Sequence, residues 1–183
     1  MVHFSGKILN MKKIILTLGS IAGVILVVMM ALSIHFMSDG MNSQSLKYGE
    51  LVGYATMIIA LSLIFFGIRS YRDSHLDGRI TFSKAFQVGI SITLVASAIY
   101  VVGWMLISNL MAPDFMDQYA KVMIQSMQDS GASPEEIERT QSQMDSYRKM
   151  YENPLLKVGL TFMEVFPVGL LISLLSSLIL KKR

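Results

Sequence analysis

Four stretches of about the length needed to cross a bilayer dominate the chain: Ile14–Met37, Leu51–Ile68, Phe86–Leu110 and Leu155–Leu180. Ile14–Ala31, Leu51–Ile68 and Ala85–Leu110 carry no charged residue at all. A soluble core hides such runs only if amphipathic segments cover them. In a chain that is 52% hydrophobic, too little polar sequence is left to do so. A membrane barrel would show segments of about ten residues alternating apolar and polar, and none does. The expected fold class is all-α, a four-transmembrane-helix bundle. Residues 1–183 then form a single integral membrane domain, with the lipid bilayer as its first partner.

Charge gives the bundle a direction. Lys7, Lys12 and Lys13 precede the first span, Arg69, Arg72, Arg79 and Lys84 fill the second connection, and Lys181, Lys182 and Arg183 close the chain. Only Asp73 and Asp77 oppose them there. The first and third connections hold Lys47, Lys121, Arg139, Arg148, Lys149 and Lys157, outnumbered by acids from Asp39 to Glu152. Basic residues near span ends stay on the cytoplasmic side. Both termini and the Arg69–Lys84 loop are therefore expected in the cytoplasm, and the other two loops outside it. The net charge of +3 sums faces of opposite sign, so it is not a nucleic-acid footprint. Met11-Lys12-Lys13 before an apolar run resembles a signal peptide, but the run is long and no small-x-small cleavage site follows. The helix is expected to be retained. Met11 is also a plausible start, so that residues 1–10 are expected to be either no part of the protein or a short disordered tail.

Several chemistries drop out. The chain has no cysteine, which removes disulfides, thiol catalysis and thiolate metal sites. Its three histidines, His3, His35 and His75, have no metal-ligand spacing. Thioethers bind Cu(I), and Met123-x3-Met127 is such a pair, but methionine is more often a filler of irregular apolar contacts. No metal or cofactor is expected.

The connections differ in kind. Ser38–Tyr48 reads as a short polar link with turn residues at Asp39-Gly40 and Asn42-Ser43. Arg69–Lys84 turns at Asp77-Gly78, with Ser83 as a cap for the third span. Its basic residues Arg69, Arg72, Arg79 and Lys84 suit anionic headgroups better than a nucleotide phosphate, since no glycine-rich cradle accompanies them. Residues 112–154 are too long for a link. After Pro113, Met116, Tyr119, Met123 and Met127 recur at helical spacing up to Gly131, a suitable C′ residue. Ser133-Pro134-Glu135-Glu136 then supplies a cap, an N1 proline and a capping-box glutamate. Ile137, Met144, Tyr147 and Tyr151 line one face until Asn153-Pro154. This predicts an external, periplasmic-side helical hairpin over about 113–153, between the third and fourth transmembrane helices.

Inside the spans, small residues at four-residue spacing let helix backbones approach: Gly19-x3-Gly23, Gly89-x3-Thr93-x3-Ser97 and Gly169-x3-Ser173-x3-Ser177. They predict one bundle, with a homodimer seam on the first helix as the alternative. No internal repeat is evident. Glu164 is the exception among these residues, because a carboxylate at that depth costs about 2.5–3.5 kcal/mol on insertion scales. It must be protonated, paired or wet, and Pro167 one turn on removes a helical hydrogen bond. Glu164 lies 16 residues before Leu180, about 24 Å along a helix. Glu50 lies 18 before Ile68, about 27 Å. Tyr54, Tyr100 and Trp104 fall near that level, with His35 above. The candidate intramembrane polar cluster is therefore Glu50, Tyr54, Tyr100, Trp104, Glu164 and Pro167. Two carboxylates brought close share a proton, which would make a relay. Interfacial aromatics and a packing bond to Glu164 are the structural alternative.

Glu50-x2-Gly53-Tyr54, Gly67-Ile68-Arg69-x-Tyr71-Arg72-Asp73, Gly78-x2-Thr81-Phe82-x-Lys84-Ala85-Phe86-x2-Gly89 and Glu164-x-Phe166-Pro167-Val168-Gly169 together resemble a bacterial four-helix membrane family catalogued as domain of unknown function 4199. Pro113-Asp114-Phe115 and Tyr119 also fit it. The resemblance covers nearly everything after Met11. It implies a multi-pass protein of the bacterial cytoplasmic membrane, brings no activity, and marks Glu50, Glu164, Arg69, Arg72 and Asp73 as motif positions. The leading expectation is a structural, assembly or accessory component acting as a homo-oligomer or with a larger membrane-protein partner. The alternative is a small oligomeric transporter or channel subunit with a Glu164-centred proton or cation relay. An enzyme is not expected, for want of a Ser/His, paired-Asp or His-metal constellation.

Overall fold

The computed structural model describes residues 2–37 and 41–182, with side chains from 11–36 and 41–182. Among these residues the chain is helical almost throughout. The segments are α1 (Val2–Met37), α2 (Ser43–Leu61), α3 (Leu63–His75), α4 (Phe82–Leu110), α5 (Phe115–Asp129), α6 (Pro134–Glu152) and α7 (Pro154–Leu180). Four stretches are long and apolar enough to cross a membrane: Met11–Phe36, Ser43–His75, Phe82–Leu110 and Pro154–Leu180. They correspond to the four expected spans.

The second of these joins α2 to α3 at Ser62, which keeps helical angles (φ −59, ψ −21). There the Ser62 hydroxyl donates to the Ile59 carbonyl at 2.6 Å. Side-chain competition for helical carbonyls of this kind bends helices without ending them.

Local chemistry explains the helix boundaries, and four of them correct the expectations. The first link is shorter than Ser38–Tyr48, because Asn42 caps α2 in a reciprocal box with Ser45 and commits Ser43–Tyr48 to the helix. Asp39-Gly40 lies outside the described residues. In the second connection, Arg69 and Arg72 belong to the last turns of α3, and Asp77 (φ 51) and Gly78 (φ 77) make the turn. The α4 cap is Thr81 rather than Ser83, its hydroxyl accepting from the Lys84 N–H. Finally, α1 extends back to Val2, so residues 2–10 continue the helix instead of forming a tail. The expected signals of α6 hold: Ser133 caps it, Pro134 sits in its first turn and Glu136 completes the box. Asn153 ends α6 and caps α7, accepting from the Leu155 N–H at 2.9 Å.

Helix α4 is the centre of the bundle, with α7 on one side and α1 on the other. Small residues set both seams. A Cβ on Gly89 would lie 3.0 Å from the Ser173 side chain, and one on Gly169 only 2.3 Å from Thr93 Cγ2. Between them, the Thr93 and Ser173 hydroxyls stand 3.1 Å apart, and both residues are fully buried. Each hydroxyl also reaches a carbonyl of its own helix, Gly89 and Gly169 respectively, so neither is stranded in the apolar interior. On α1, Gly19 and Gly23 press against Val95 and Ile99 of α4. That stripe is used inside the bundle, which removes the residue pattern behind a homodimer seam.

One end of the bundle is tied shut. Ile80 and Lys182 exchange backbone hydrogen bonds of 3.0 and 2.9 Å, and Arg72 Nη1 donates to the Leu180 carbonyl at the end of α7. The other end is open. Helix α2 buries Met57, Ala60 and Leu61 but no residue above them, because it leans on α1 and approaches α7 only sparsely. The resulting gap is roofed by the α5–α6 hairpin.

Candidate functional site

The gap is a cavity of about 500 Å³, walled by α1, α2, α4 and α7 and covered by α5 and α6. Of the six residues expected to cluster, it gathers four: Glu50, Tyr100, Trp104 and Glu164. Tyr100 and Trp104 stand one helical turn apart on α4, nearly buried at 6% and 7% exposed. The Tyr100 hydroxyl donates to Glu164 Oε1 at 3.1 Å. This bond joins α4 to α7 just above the Thr93–Ser173 seam, so the close packing below sets the spacing above.

Tyr54 and Pro167 do not join the cluster. Tyr54 points away from the cavity and is half exposed. Pro167 lies on the open side of α7, which runs unbroken through it. Its missing N–H frees the Met163 carbonyl, next to Glu164 but off the wall. His35 is also off the wall, its ring tilted against Phe36.

The hairpin supplies residues that the sequence did not single out for the site. Phe115 meets Trp104 edge-on at 5.5 Å, and Tyr119 follows at 6.2 Å from Phe115. Tyr119, Met123 and Tyr151 complete the roof. The inward stripe of α5 is thus Phe115, Tyr119, Val122, Met123 and Ser126, while Met116 and Met127 fall outside it. Met123 and Met127 do not converge on the cavity as a thioether pair. Burial raises the phenols of Tyr119 and Tyr151 above their ordinary range. The nearby Glu50 carboxylate adds to this at Tyr119, as Glu164 does at Tyr151. Both phenols therefore stay protonated donors at neutral pH.

Two cations border the site. Lys47 is on the wall. Lys157, two turns before Glu164 on α7, holds its Nζ 5.9 Å from the Trp104 ring centre and 5.8 Å from that of Tyr151. That is a cation–π clamp, and it draws α7, α4 and α6 together. The Trp104 Nε1 hydrogen has no acceptor at hydrogen-bond geometry. The helical spacing of Lys157 and Glu164 was the available sequence signal for this wall. Nothing local marked Tyr119 as lying near Glu50 or Tyr151 as lying near Glu164.

The basic residues at the opposite end are spread over separate local contacts. Arg72 Nε meets Asp73 at 2.7 Å and Arg69 Nε meets its other oxygen at 3.7 Å. Lys84 bonds Gln87 at 3.0 Å, and Arg79 is exposed. Arg72 thereby fastens α3 to the end of α7. Among the described residues no cluster of His, Asp or Glu could hold a metal ion.

Fold and site define a class: a multi-pass integral membrane protein with a carboxylate-bearing cavity at one end of its helix bundle. The chain belongs to the family described as Protein of unknown function (DUF4199), whose model matches residues 17–182. No curated protein and no solved structure matches it.

Proposed function

We propose that this chain is a small transport-type component of the bacterial cytoplasmic membrane, with Glu164 exchanging a proton or cation with a ligand held in the cavity. The observation that carries the reading is the convergence of Glu50 and Glu164, from different helices, on one cavity. Carboxylates at this level are costly in lipid, and a merely structural Glu164 would need no second carboxylate or open volume beside it. The charge distribution supports cytoplasmic termini, which put the hairpin and cavity on the outer side. The accessory or assembly reading draws less support, since the small-residue stripes that suggested helix–helix partners are consumed between α1, α4 and α7. Four spans leave little room for a complete pathway, so the working unit is proposed to be a homo-oligomer.

The test uses vesicles reconstituted with the protein and loaded with a pH-sensitive dye, under an imposed proton gradient. Wild-type protein is expected to dissipate the gradient, and Glu164→Gln to slow this on the order of a hundredfold, as for loss of a proton-transfer group. Wild-type vesicles no leakier than protein-free ones, or a variant equal to wild type, would overturn the reading.

A further inference from the structure

Among the described residues, Glu50 and Glu164 form no ion pair. The ion pairs among the described residues join Arg69 and Arg72 to Asp73, and Arg148 to Asp117 and Asp145. Lys47 lies on the cavity wall without pairing to either glutamate, and Lys157 is committed to two aromatic rings. Two acidic groups face one cavity and neither is held in an ion pair, which favours a cationic guest even with Lys47 on the same wall. A bare divalent ion fits poorly, because such ions take about six or more oxygen ligands and no metal-holding cluster is present among the described residues.

Two further features narrow the class. Trp104 is 93% buried, by its 7% exposure, and its Nε1 hydrogen faces the Tyr151 hydroxyl without forming a well-aligned hydrogen bond, while its ring borders the cavity. A buried indole N–H normally finds an acceptor, and here a guest can supply it. The lower wall is apolar, formed by Leu26, Met30 and Met57, and suits a hydrocarbon chain. The Lys157 ammonium over Trp104 and Tyr151 shows that this aromatic wall accepts an alkylammonium of the chain's own.

We propose that the cavity is a binding site for an ammonium amphiphile. The amine sits against Glu50 and Glu164, an adjacent ester or phosphate oxygen accepts from Trp104 Nε1, and the apolar chain lies along Leu26, Met30 and Met57. A volume of about 500 Å³ is within the ordinary range for small-molecule sites. The proposal rests on the cavity being the functional site, as above, but not on transport through it.

Trp104 is the chain's single tryptophan, so its fluorescence reports on this cavity alone. Purified protein in micelles is titrated with ω-bromoundecylammonium and with ω-bromoundecanoate, which share a quenching bromine and a chain length but differ in charge. The ammonium probe is expected to quench at several-fold lower concentration. Glu50→Gln and Glu164→Gln are expected to erase that difference. Glu50→Gln breaks no side-chain hydrogen bond or ion pair among the described residues, and it keeps the test valid if Glu164→Gln unfolds.

A parallel arm compares brominated phosphatidylethanolamine with brominated phosphatidylglycerol in vesicles. Preference for the former assigns the guest to the bilayer, and preference confined to the soluble amine assigns it to the aqueous side. Equal quenching by ammonium and carboxylate probes, or a preference that survives both variants, overturns the proposal. Ammonium preference without proton flux would refute the relay while leaving this site standing, and flux without preference would do the reverse.

Discussion

Replacing Gly169 by alanine should be among the most damaging small changes this protein can suffer. The added Cβ would sit 2.3 Å from Thr93 Cγ2, 2.9 Å from its Oγ1 and 3.1 Å from its Cβ. Thr93 cannot swing aside easily. It is fully buried, and its hydroxyl lies 3.1 Å from both the Gly89 carbonyl and the Ser173 hydroxyl. Overpacking typically costs about 1–3 kcal/mol, and three crowded contacts on a pinned β-branched residue put this site at the upper end. Alanine also gains about 0.8–1 kcal/mol of helix propensity over glycine, which masks part of the cost. Gly159 on the same helix calibrates that gain, since a Cβ there meets nothing within 4 Å. The difference between Gly169→Ala and Gly159→Ala should therefore isolate a steric cost of about 2–3 kcal/mol, and Gly159→Ala alone should be neutral or stabilising. Thr93→Ser removes Cγ2 but keeps the hydroxyl, so adding it to Gly169→Ala should recover on the order of half the loss through the coupling that neighbours show. Reversible unfolding in mixed micelles, followed by circular dichroism, measures all four proteins. If Gly169→Ala is as mild as Gly159→Ala, or Thr93→Ser gives no recovery, the α4–α7 seam is not packed as described.

Other outcomes follow from the cavity and its roof. Tyr100→Phe deletes the donor to Glu164 and should cost about 0.5–1.5 kcal/mol in the same unfolding assay; no loss would mean the bond carries no weight. Ser133→Ala should loosen the start of α6 by about 1 kcal/mol, seen as faster hydrogen exchange at residues 135–139 with the spans unchanged. The Ser133 backbone N–H and hydroxyl hold the Glu136 carboxyl below its ordinary range. A depressed folded pKa contributes stability above the unfolded value, lost as pH falls through the folded one. Exchange at the cap, corrected for intrinsic rate, should therefore rise only in acid below about pH 4.3, and Glu136→Gln should flatten that dependence. The chain has no cysteine of its own, so single cysteines can report its orientation. Gln141→Cys on α6 should react with an impermeant maleimide in intact cells and Asp77→Cys only after lysis, while the reverse pattern would invert the proposed topology.

Much of this architecture is readable residue by residue. Spans follow from uncharged runs, because lipid cannot solvate a backbone that fails to bond to itself. Helix ends follow from Asn42, Ser133-Pro134 and Asn153-Pro154, whose side chains or missing N–H act within one turn. The misreadings were also local: Thr81 and Ser83 both offer a capping hydroxyl, and only the path of the chain after Gly78 selects the first. For the site, depth along each helix was enough to place Glu50, Tyr100, Trp104 and Glu164 in one layer. It could not separate them from Tyr54, which shares the level but faces outward.

That separation depends on the rotation of each helix about its own axis, which distant partners set. Gly89, Thr93, Gly169 and Ser173 interlock and turn Tyr100 toward Glu164. Helix α2, leaning on α1, turns Glu50 toward the same space. The hairpin shows the division most plainly. Its two helices are written in capping residues and apolar spacing, but the residues that roof the cavity are fixed only once Trp104 and Lys157 are in place to receive Phe115 and Tyr151. Hydrogen bonds within a turn belong to the local chain, whereas a cavity is what several packed surfaces fail to fill, and no single segment encodes it.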